Sequence, residues 1–151
     1  MQLAQNMPDQ TPVDIAIEDQ NGGHTLQKHV AKSDEFLLNR IATEQYGNWF
    51  YSRKLASAGS FFSADEANSL INSTISKNLQ IADSVARGDY FDEPFAIESI
   101  FNSVTGKEAY ADTETGMAYM RKTNGVKVVL RRDVNRINGF YVLTAYPITI
   151  K

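Results

Sequence analysis

The chain has no cysteine, and only two of its 151 residues are histidine. A disulfide framework, a thiol nucleophile and a cysteine-built zinc site are thereby excluded, and a histidine-rich metal centre is disfavoured. No segment is apolar enough to span a membrane, and the first twenty residues lack the apolar core of a signal peptide. Charge of one sign is scarce at each end: residues 1–115 carry 8 Lys/Arg against 17 Asp/Glu, whereas residues 116–151 carry 7 against Asp133 alone. What remains is ordinary globular composition, 42% hydrophobic and 22% charged, in a length suited to one domain with a real core. The polar, amide-rich residues 1–20 read as a linker or a junction with something larger, which leaves 21–151 as the domain.

Both histidines fall in one stretch, Asn21 to Ile41, together with Arg40. Asn21-Gly22-Gly23 is turn punctuation, Thr25 to Val30 reads as a short helix, and Ser33 followed by Asp34 and Glu35 reads as the cap of a second. On one straight helix His29 and Arg40 would stand about 16 Å apart. A bend near Ala31-Lys32 brings the guanidinium back towards the imidazole. A side chain that titrates near neutral pH beside a permanent cation is a beginning for phosphate chemistry.

Further on, Glu44 to Ala58 is dense in aromatics (Tyr46, Trp49, Phe50, Tyr51) and is expected to be core. Ser57 to Phe62 reads as a loop. Ser63 with Glu66 makes a capping box for one helix running to about Arg87, stopped by Gly88. Strands are expected over FAIESIFN, GMAYMRKT, VKVVLRR and FYVLTAYPI. Thr105-Gly106 and Asp112–Gly116 read as loops, Asn124-Gly125 as a hairpin turn between the second and third strands, and Asn138-Gly139 as the next reversal. Helices first and antiparallel strands after give an α+β class. Arg121, Lys122, Lys127 and Arg131 collect in this sheet region, either as a solvated face or as an RNA groove. In the last strand, alternation puts Phe140, Val142, Thr144 and Tyr146 on one face, so two hydroxyls stand side by side.

Together GGHTLQKHVAKSDEFLLNR, SFFSADEA and the terminal VLTAYPI resemble the ribonuclease A-like toxin domain at the C-terminal end of bacterial contact-dependent growth inhibition proteins. The resemblance runs from about Gly22 to the end. It implies a kidney-shaped α+β fold like pancreatic ribonuclease, held without disulfides. It also implies metal-independent RNA cleavage in the cytoplasm of a neighbouring bacterium, no cofactor, a monomeric toxin domain and a cognate immunity protein. Its active-site positions fall on His29, Arg40, Thr144 and Tyr146. His24 and Lys32 are auxiliary candidates, with a turn histidine and a solvated lysine as their plainer readings. The family pattern often has glycine where this chain has Ala31 and threonine where it has Ser33. A ribonuclease of barnase or EndoU architecture, a non-catalytic RNA- or protein-binding module, and a plain structural domain are the competing readings.

Overall fold

Hydroxyl side chains set the starts of two helices. In the computed structural model, which describes residues 11–48, 51–112 and 114–151, with backbone alone for 45–48 and 51–54, Ser33 Oγ accepts the Phe36 N–H at the head of a helix Asp34–Thr43. Ser63 Oγ likewise accepts the Glu66 N–H, and the same hydroxyl donates to the Glu66 carboxylate, so the serine cap read from the sequence forms with Glu66 drawn to it through the hydroxyl. The helices are α1 (Ile15–Gln20), α2 (Thr25–His29), α3 (Asp34–Thr43), α4 (Ala64–Ser76) and α5 (Leu79–Arg87). The strands are β1 (Gln45–Asn48), β2 (Tyr51–Lys54), β3 (Ser57–Ser60), β4 (Phe95–Ile100), β5 (Gly106–Ala111), β6 (Ala118–Thr123), β7 (Gly125–Arg132) and β8 (Phe140–Ile148). All pair antiparallel, in a β1-β2 ribbon and two three-stranded sheets ordered β3-β5-β6 and β4-β7-β8. The α+β class stands.

The larger core lies between α4, α5 and the β4-β7-β8 sheet, around Phe61, Ile71, Val85, Val128, Leu130, Phe140 and Val142. A smaller one puts Leu37 and Ile41 of α3 on Ala58 and Ala109. Each such large aliphatic or aromatic side chain contributes about 1.5–3 kcal/mol by leaving water, so both sheets are firmly anchored.

Several expectations need correction. Half of the supposed linker is built into the fold: Ile15 is fully buried, and the Asn68 and Asn72 side chains accept the Ile15 and Val13 N–H groups. The single helix to Arg87 is two, because the Asn78 amide donates to the Thr74 and Glu98 carbonyls and ties the break to β4. Gly88 does end the second, in the left-handed conformation at φ 84°. Ser57–Ser60 is a strand rather than a loop, and Gly106–Ala111 is a strand that the sequence pattern did not reveal. Gly59 is required in β3 because Pro147 of β8 crosses there, and a Cβ would stand 2.5 Å from its carbonyl oxygen.

Asn124-Gly125 is not a hairpin: β6 pairs with β5, whereas β7 pairs with β4 and β8. Backbone and side-chain groups of Asn124 are taken up by Phe101, Ile148 and Ile150, so this residue is a bend at which the chain passes from one sheet to the other. Asn138-Gly139, by contrast, does reverse the chain between β7 and β8. The aromatic stretch lies partly outside the described residues, Trp49 and Phe50 entirely and Tyr46 and Tyr51 for their side chains.

Candidate active site

The bend between α2 and α3 is made by Ala31, whose φ of 55° is left-handed, a conformation that costs an alanine about 1–2 kcal/mol. On either side of Phe61 the backbone is pinned: the Ala31 N–H donates to the Phe61 carbonyl, and the Phe61 N–H to the His29 carbonyl. This reversal carries Arg40 to the same hollow as His29. A glycine would take the same conformation without that cost.

At the other end of the chain, β8 contributes through a defect. The register against β7 slips between Val129 and Leu130, so that Leu130 faces Val142 and Val129 faces Thr144, leaving Leu143 as the extra residue. Burial accordingly changes phase: Phe140 and Val142 are buried, and after the slip Ala145 and Pro147 are. Thr144 and Tyr146 therefore share a face with each other but not with Phe140 and Val142, as simple alternation would have it. Without the bulge their hydroxyls would point into the core.

His29, Arg40, Thr144 and Tyr146 line one open pocket of about 390 Å³, together with His24, Lys28 and the edge of β3 from Leu55 to Gly59. His29 is 7% exposed, and its Nδ1 lies 3.0 Å from the Gly59 carbonyl oxygen. A carbonyl only accepts, so the neutral ring carries its proton on Nδ1 and leaves Nε2 as the acceptor. The imidazole sits 5.0 Å from the Tyr146 ring, centroid to centroid. Burial is the main reason that its pKa drops from 6.5 to about 4, opposed by the Gly59 bond and helped by the positive charges of Arg40, His24 and Lys28.

Arg40 is not a free cation. Its Nε and a terminal nitrogen hold both oxygens of Glu44, at 2.6 and 3.1 Å, one turn further along α3. That hydrogen bonding holds the Glu44 carboxyl below its usual pKa. Lys28 is the pocket cation with no carboxylate partner among the described residues. Sequence reasoning passed over it, although it lies four residues from His24, a spacing that sets the two on one side of a helical turn. Thr144 Oγ1 and His24 Nδ1 are buried with no hydrogen-bond partner, two polar atoms whose bonding capacity is left for something entering the pocket. Lys32 is not part of the lining; its ammonium lies over the Phe36 ring at 5.2 Å.

The walls are set by α1. The buried Glu18 carboxylate accepts the Val142 N–H at 2.9 Å and pairs with Arg136, and Asp19 accepts the Thr25 and Leu26 N–H groups at the head of α2. The His24 N–H closes the gap by donating to the carbonyl of the bulged Leu143. Helix and bulged strand are thus fixed to one another.

The basic residues expected as one groove are divided. Arg121 pairs with Glu108 at 2.7 Å and lies over the Tyr110 ring, and Lys122 alternates to the other face of the same sheet. Lys127 and Arg131 belong to the second sheet, beside Glu98 and the Asp92 carbonyl. None of the four lines the pocket. Among the described residues no group of three or more acidic, histidine or cysteine side chains is placed to hold a metal ion.

A comparison with curated proteins found no match. Among solved structures, the crystal structure of a CdiA-CT/CdiI complex from Y. kristensenii 33638 is similar, at 25% identity and a TM-score of 0.66, over 83% of this chain and 98% of that one. Residues 23–147 match the family described as the bacterial CdiA-CT RNAse A domain. With a match across most of its length, the chain belongs to that family, the ribonuclease A-type toxin domains of contact-dependent growth inhibition proteins.

Proposed function

We propose that the chain is an endoribonuclease toxin domain that cleaves RNA in a target bacterium without a metal ion, by attack of a ribose 2′-hydroxyl on its adjacent phosphate. The observation that carries this reading is the placement of His29: a buried imidazole whose Nδ1 faces the Gly59 carbonyl, which leaves Nε2 as the acceptor of the neutral ring, in a pocket that also holds cations. The 2′-hydroxyl gives its proton to Nε2 as its oxygen bonds to phosphorus. The bond to the 5′-oxygen breaks, that oxygen takes a proton from a pocket donor, and a 2′,3′-cyclic phosphate is left. Tyr146 and His24 carry transferable protons at the pocket wall.

Negative charge gathers on the phosphorane oxygens, and Lys28 and Arg40 oppose it. Arg40 does so while sharing its guanidinium with Glu44, whereas Lys28 forms no ion pair among the described residues. Thr144 Oγ1 spends its vacant bond on a phosphate oxygen or a base edge. The low pKa keeps His29 unprotonated in the free domain, and a bound phosphate, being anionic, raises its proton affinity when the proton has to be taken.

The similar Y. kristensenii domain is found in complex with CdiI. By analogy this domain meets a cognate immunity protein in the producing cell. The test of the catalytic reading is His29→Asn, whose amide keeps a donor for Gly59 but has no counterpart of Nε2. Cleavage of total bacterial RNA should fall by about 100-fold or more, with the variant still melting cooperatively. A folded variant that cuts like the parent refutes the reading; retention of RNA with no turnover in either protein would favour a binding module.

A further inference from the structure

Beside the pocket, the β3-β5-β6 sheet has a face that the catalytic reading does not use. Ser57, which lines the pocket, is the register partner of Tyr110, and Tyr110 is the partner of Tyr119. Register partners in an antiparallel sheet point to one side, so these residues form a row leading out of the pocket. The opposite side of the sheet is covered by α3, through Ala58, Ala109 and Met120. On the row's own side β8 and the residue after it cross β3 and β5: Pro147 sits over Gly59 and Gly106, and Thr149 reaches Glu108. Beyond them, on β6, the face carries Tyr119, 45% exposed, in edge contact with Tyr110 at 5.8 Å. The Arg121 guanidinium is laid over the Tyr110 ring at 3.8 Å, braced from behind by Glu108, whose side chain is 3% exposed.

We propose that Tyr119 and the Arg121–Tyr110 stack are a base-stacking platform for the single-stranded RNA flanking the scissile phosphate. A flat cation stacked on one ring and an exposed second ring are what an unpaired base packs against, and neither demands a particular base. Two strand spacings put Tyr119 about 10 Å from Ser57 across the sheet, within reach of bases next to a phosphate held by Lys28 and Arg40. Glu108 has the task of holding the guanidinium flat rather than letting it reach for a phosphate. The proposal rests on the ribonuclease reading and adds to it where the strand leaves the pocket.

The experiment compares two substrates in Tyr119→Ala and Tyr119→Phe: a single-stranded oligoribonucleotide about ten residues long, and a nucleoside 3′-aryl phosphate, which undergoes the same 2′-hydroxyl attack but carries one nucleoside and fills the pocket alone. Loss of one stacked base lowers kcat/KM on the oligonucleotide about 5- to 100-fold in Tyr119→Ala, with cleavage of the aryl phosphate unchanged and Tyr119→Phe close to the parent. Equal loss on both substrates, or on neither, overturns the platform. Affinity for the same oligonucleotide with 2′-deoxy sugars, read by fluorescence anisotropy, separates this from the catalytic reading. It should weaken by the same factor in Tyr119→Ala, and unchanged affinity overturns the platform whether or not the parent cleaves RNA.

Discussion

Acidification should destabilise this domain in part through one residue. His29 is held neutral in the folded state, its pKa lowered to about 4, mainly by burial. In the unfolded chain the same ring titrates near its ordinary 6.5, so between those values the unfolded state binds the extra proton. Stability from this group is therefore complete above pH 6.5 and is lost as pH falls towards 4. Linkage from these two values gives a loss of about 2 kcal/mol between pH 7 and pH 5, and about 3 kcal/mol by pH 4. The assay is urea unfolding at pH 7 and pH 5, for the parent and for His29→Asn. The difference between the two proteins isolates the imidazole from carboxylates that titrate in both. The variant should lose about 2 kcal/mol less than the parent over this interval. Equal losses would mean that the imidazole is protonated in the folded state and that its buried, neutral condition is misread.

Two further perturbations follow from the site's construction. Ala31→Gly relieves a left-handed alanine and should stabilise the domain by about 0.5–1 kcal/mol once the entropy of glycine is counted, seen as a higher Tm. An unchanged or lower Tm would show that the reversal is unstrained. Lys28→Gln removes a pocket cation that has no ion pair among the described residues. The slope of log affinity for single-stranded RNA against log salt should become shallower by about 0.7. Because Lys28 helps to depress the His29 pKa, the acid limb of kcat/KM should also move to higher pH, and a variant altering neither quantity would place Lys28 outside the reaction.

Much of this was legible in the sequence where a local signal had a local cause. Ser33 and Ser63 announce helix starts because a cap needs little beyond its own turn, and β8 was bounded correctly by its β-branched and aromatic run. His29, Arg40, Thr144 and Tyr146 were named from motif, and the pocket that joins them depends on an alanine at positive φ. What was hidden depends on distant partners. Ser57–Ser60 has no strand propensity of its own and is a strand because β5 pairs with it. Asn124-Gly125 has hairpin chemistry, but three separate backbone partners pull it into a bend between sheets. The slip at Val129/Leu130, which decides where two site hydroxyls point, leaves no mark in the β8 alternation. Residues 11–20 look like a linker because their polar groups are bonded across the molecule, Glu18 to Arg136 and Val142 above all.

The proposed reaction turns on attack of a 2′-oxygen in this pocket without a metal ion. It is tested most directly by digesting RNA with the purified domain in excess EDTA and mapping the new ends. Undiminished cleavage is expected, with 2′,3′-cyclic phosphate on one fragment and a 5′-hydroxyl on the other. Cleavage abolished by the chelator, or fragments ending in 5′-phosphate and 3′-hydroxyl, would contradict that mechanism.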